Sequence, residues 1–96
     1  MQIQSDVASP AMGLNDNLMF CGKVLHIQTE KISSSVPCIL THVFFQGRVI
    51  HTTRHEYSNE DHKSDNWVEI RKLMHKQHVG VIEKISKQQA KYQEQS

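Results

Sequence analysis

Cysteine is scarce in this chain, with two among 96 residues, and so are proline with two, glycine with four and aromatic residues at 6%. Cys21 and Cys38 form no Cys-x-x-Cys pair, which removes the usual signature of a structural zinc site or a dithiol redox centre. If they lie at opposite ends of neighbouring strands, about 20 Å separates them at the strand rise, whereas a disulfide needs Cα atoms within about 7 Å. Two reduced, mostly buried thiols in a cytoplasmic protein are therefore expected. No apolar run approaches the roughly 20 residues of a membrane helix. No basic segment followed by an apolar one marks a signal peptide. Charge of one sign is also lacking: the formal net charge is +1, which argues against strong attraction to nucleic acid or anionic lipid. Internal repeats, low-complexity blocks and cofactor motifs are absent, so no cofactor is expected.

What is present is concentrated in Pro37–Tyr57. Two runs rich in β-branched and aromatic residues flank Gln46-Gly47, the pattern of a two-residue β-hairpin. With that turn, Phe45 opposes Arg48, Phe44 opposes Val49, Val43 opposes Ile50, His42 opposes His51 and Cys38 opposes His55. Opposed residues share a face. Ile39, Thr41, Val43, Phe45, Ile50 and Thr52 then form a core face, with Arg54 and Glu56 at its open end. Cys38, Leu40, His42, Phe44, Val49, His51, Thr53, His55 and Tyr57 form a mixed one.

Residues 1–17, with Pro10, Gly13 and no periodicity, read as a flexible arm. Over Leu18–Glu30 both alternating sets are partly apolar, as in a strand covered on two sides. Lys31–Val36, with three consecutive serines, reads as a loop. An even-sum pairing places Leu25 and Ile27 beside Thr41 and Ile39 on the core face, and Val24 and His26 beside His42 and Leu40 on the other. Ser58–Ser64 is a polar connection, and Ser64, Asp65 or Asn66 can cap a helix running to about Lys91. On that helix Trp67, Ile70, Met74, His78, Val81, Ile85 and Tyr92 share one stripe, with Ile82 at its edge. Lys72, Lys76, Lys84, Lys87 and Lys91 lie opposite, as a solvated face; Gly80 falls off the stripe and marks a bend or a close approach of another chain. The expected fold is α+β: a three-stranded antiparallel meander followed by one long C-terminal helix (β-β-β-α). It occupies residues 18–92 as a single domain, with 93–96 as a frayed tail.

One helix cannot cover both faces of a sheet. The mixed face keeps too much apolar surface to stand bare, and a second copy related by two-fold symmetry is the simplest cover. The expectation is a non-enzymatic interaction or adaptor module, homodimeric or bound to another protein. Its interface would comprise Val24, Leu40, His42, Phe44, Val49 and His51 of the sheet with Ile82, Ile85 and Tyr92 of the projecting helix. Nucleic acid and membrane are not expected partners. Seven histidines raise an alternative, a metal-binding regulatory module in which His26, His42 and His51 chelate zinc, nickel or copper. Packing histidines are the plainer reading, and His78, within the stripe, is expected to be hydrogen-bonded and partly buried. Cys38 beside His55 is the nearest approach to a nucleophile pair, without a visible orienting group.

Overall fold

A computed structural model describes residues 13–57 and 67–95. The elements are β1 (Leu14–Phe20), β2 (Lys23–Ile32), β3 (Cys38–Phe45), β4 (Arg48–Glu56) and α1 (Trp67–Gln95). The strands form one antiparallel sheet in the order β1-β2-β3-β4. The architecture is α+β with one C-terminal helix, as expected, but the meander has four strands, not three.

The extra strand arises at Cys21-Gly22. Both residues hold positive φ, 51° and 82°, and Phe20 pairs with Lys23 across them, so the chain reverses in a two-residue turn. Residues 14–17, assigned to the arm, belong to β1. A two-residue turn also inverts parity. Leu18 and Phe20 reach the core from even positions, Leu25 and Ile27 from odd ones. Two half-buried strands in series thus mimic a single strand covered on both sides. The arm's first 12 residues, the connection over 58–64 and the capping residues lie outside the described residues. β2 runs on to Ile32, two residues into the expected loop, and α1 continues past Tyr92 to Gln95.

The β2–β3 pairing keeps the expected even sum but lies four residues from the expected register, with Leu25 opposite Phe45 and Thr29 opposite Thr41. The face assignments survive, because an even displacement preserves parity. The β3–β4 turn does fall at Gln46-Gly47, with φ of 53° and 81°. Phe45 opposes Arg48 and Phe44 opposes Val49 as expected, but a β-bulge follows and Val43 opposes His51. Ile50 is the extra residue. Beyond it every β4 side chain exchanges faces: His42 opposes Thr52, Cys38 opposes Glu56, and His55 opposes Ile39. The expected His42–His51 and Cys38–His55 pairs do not form.

The helix lies across the inner face. Ile70, Met74, His78 and Val81 are buried, as their 3.6-residue spacing requires. The core has two parts. Leu25, Ile27, Val43 and Val81 make one, supported by Leu18, Phe20, Phe45, Ile82 and Ile85. Ile39, Tyr57, Ile70 and Met74 make the other, supported by Leu14, Trp67 and Leu73. Burial, and next the neighbouring Cys38, push the Tyr57 phenol above its ordinary pKa. Both cysteines are free; Cys38 is buried, but Cys21 is exposed at its turn. Among the described residues no helix is long and apolar enough to cross a membrane.

Candidate functional site

Between the two apolar parts of the core runs a chain of polar side chains. Asp16 Oδ2 lies 2.7 Å from His78 Nε2, and His78 Nδ1 lies 2.7 Å from Thr29 Oγ1. Thr29 Oγ1 is 2.7 Å from Thr41 Oγ1, and Gln77 Nε2 donates to Thr41 Oγ1 at 2.9 Å. One direction of donation leaves no hydroxyl proton in this chain without an acceptor. Gln77 donates to Thr41, Thr41 to Thr29, Thr29 to His78 Nδ1, and Nε2–H to the Asp16 carboxylate. The Asp–His–Thr order is that of a nucleophile relay. Thr29 and Thr41, however, are fully buried, and neither lines the cavity beside β4 or the one beside Leu14 and Val68. A nucleophile must meet its substrate, so the chain is an internal brace that ties the helix to β1, β2 and β3. His78 is hydrogen-bonded as expected, and buried outright.

The candidate metal ligands diverge. His26 and His42 lie on the outer face, with ring centroids 6.0 Å and 5.8 Å from the Phe44 ring. Both ring nitrogens of His26 already have partners, Asn17 at 3.0 Å and Asn15 at 3.1 Å, and His42 Nδ1 lies 3.0 Å from the Thr52 hydroxyl. His51 is on the inner face, because the bulge after Val49 exchanged it. No group of three His, Cys, Asp or Glu side chains suited to a metal ion occurs among the described residues.

Two surfaces remain that could take a partner. The outer face carries Leu40, His42 and Phe44 of β3 beside Val24 and His26 of β2 and Val49 of β4. Val24 is 54% exposed and Val49 51%. No described element covers them. His51, assigned to this surface from the sequence, is absent from it. Ile82 and Ile85 are partly buried and pack on the molecule's own core. Tyr92 is exposed, with its ring edge-on to Phe20 at 6.1 Å.

The second surface could not be read from the sequence. The helix lies over β1, β2 and β3 but leaves the inner side of β4 open, and a cavity of about 900 Å³ lies between them. Leu25, Val43, Phe45 and Val81 contribute apolar wall, and Lys23, Lys84 and Lys87 stand among its lining residues. Ile50 and His51, the two residues at the bulge, both line it. Its one sequence trace is Gly80, where an added Cβ would meet nothing within 4 Å.

No family model, curated protein or solved structure matches this chain.

Proposed function

We propose that the protein is a small interaction module that associates with a second copy of itself through the outer face of its sheet. The observation that carries this reading is the outer face itself. Val24, Leu40, Phe44 and Val49 gather around two histidine rings on a sheet whose single helix is committed to the other side. Apolar groups kept together on a surface mark a contact site more often than the same groups scattered singly. A two-fold axis parallel to the sheet, in the plane of contact, would set Phe44 of one copy against the equivalent face of the other, a self-complementary arrangement. The His42 ring edge-on to Phe44 and the His26 ring tilted against it give such an interface a packed centre.

Val24→Glu combined with Val49→Glu tests this, because both side chains are already exposed in the single chain and their loss costs its fold little. Sedimentation should show a dimer for the natural protein and a monomer with an unchanged far-ultraviolet spectrum for the variant. A natural protein that sediments as a monomer at about 100 μM, weaker than specific dimers usually are, would refute self-association.

A further inference from the structure

We propose that the cavity between the helix and β4 is a binding site for a free, single-chain anionic amphiphile, a medium-chain carboxylate. This site lies on the opposite side of the sheet from the association surface and does not depend on it.

The volume comes first. About 900 Å³ falls within the roughly 300–1,000 Å³ typical of pockets that hold small ligands. The space exists because of two local features. The bulge gives β4 one residue more than β3 opposes, so Ile50 and His51 both border the opening. Gly80, without a side chain, leaves the facing wall of the helix open.

The distribution of chemistry comes next. The deep wall is aliphatic and aromatic: Leu25 and Val43 of the sheet, Val81 of the helix and the Phe45 ring. The mouth is cationic. Lys23 enters from β2, with its Nζ 5.5 Å from the centre of the Phe45 ring. Lys84 and Lys87 enter from the helix, one turn apart, and no ion pair among the described residues engages any of the three. No aspartate or glutamate lines the cavity. A neutral apolar guest would leave these charges unused, and a cation would be repelled. A chain with one anionic end satisfies both halves. Along the helix the lining residues run from Gln77 to Gln88, about 16 Å at the helical rise, the length of an extended chain of roughly ten to twelve carbons.

The test is a titration of the full chain with decanoate below its micelle concentration, followed by amide NMR shifts, with decanol and decyltrimethylammonium as the neutral and cationic comparisons. Saturable shifts should centre on Phe45, Ile50 and Gly80. Affinity should rise about fourfold per methylene from octanoate to decanoate. Lys84→Glu with Lys87→Glu should weaken decanoate about tenfold and leave decanol within twofold. Gly80→Phe, at a position with room for a side chain, should block all guests while the spectrum remains that of a folded protein. Four results would overturn the proposal: no saturable shift at those residues, decanol binding as tightly as decanoate, binding to anionic vesicles only, or cavity resonances that move on dilution alone. The last would place a second copy there.

Discussion

Thr29 shows what a single buried hydroxyl does in this molecule. It sits at 0% exposure on β2, between His78 Nδ1 and Thr41 Oγ1. Replacing it with valine keeps the volume close but leaves His78 Nδ1 without a donor and the Thr41 hydroxyl without an acceptor. Each unsatisfied buried group costs about 1–3 kcal/mol, so Thr29→Val should destabilise by about 2 kcal/mol or more. Thr41→Val should cost less, about 1 kcal/mol. Thr29 still reaches His78, and the Gln77 amide keeps the Ile39 and Thr53 carbonyls at 3.2 and 3.3 Å. Urea midpoints at constant slope measure both; the reverse order would show that the link to His78 contributes little. Of this brace only His78 was legible in the sequence, through its place on an apolar stripe. Asp16, Thr29, Thr41 and Gln77 are residues that a strand or helix normally shows to water. What buries Thr29 and Thr41 and brings Asp16 and Gln77 to them is the register between distant segments, and local pattern does not encode that register.

At the scale of elements, the two hairpins differ in how openly they declare themselves. Gln46-Gly47 separates two strongly β-forming runs and was readable. Cys21-Gly22 was not, because cysteine is no turn former and the alternation continues through it with its sense inverted. The same inversion explains β4. A two-residue turn moves the inner face from odd to even positions, and the bulge at Ile50 moves it back. Alternation alone therefore fixed the contents of β3 and misassigned β4 from His51 onward. The Cys21 turn gives a direct test. Cys21 occupies left-handed backbone, φ 51°, which asparagine tolerates far better than other residues with side chains, and Asn-Gly is the preferred dipeptide for this turn. Cys21→Asn should therefore stabilise the fold by about 0.5 kcal/mol, a rise of roughly 2–4 °C in Tm. A fall in Tm would mean that β1 and β2 do not meet at this turn.

The whole molecule is one long helix on one side of a four-stranded sheet, which gives its two faces different fates. The inner face is closed by the helix over β1 to β3 and open beside β4. No described element packs across the outer face, where Val24 and Val49 stand exposed and Cys38, at the far end of β3, is buried. A chain of 96 residues has little core to spare, and small domains of this kind commonly gain stability by associating. If the outer face joins two copies, folding and assembly are linked by mass action, and the melting temperature depends on protein concentration. Raising the concentration from about 5 μM to 500 μM should then raise Tm by several degrees. That hundredfold step is worth roughly 2.7 kcal/mol per dimer, shared between two chains. Val24→Glu with Val49→Glu should abolish the dependence and leave a single lower Tm at every concentration. Differential scanning calorimetry at four or five concentrations measures both curves. A cavity ligand separates from this cleanly: saturating decanoate should lift the Tm of the natural protein and of the double variant alike, because its site is on the far side of the sheet. Were decanoate instead to raise only the natural protein's Tm, the two faces would be coupled through the sheet, and Phe44 and Phe45, neighbours on β3 that face opposite sides, are where that coupling would run.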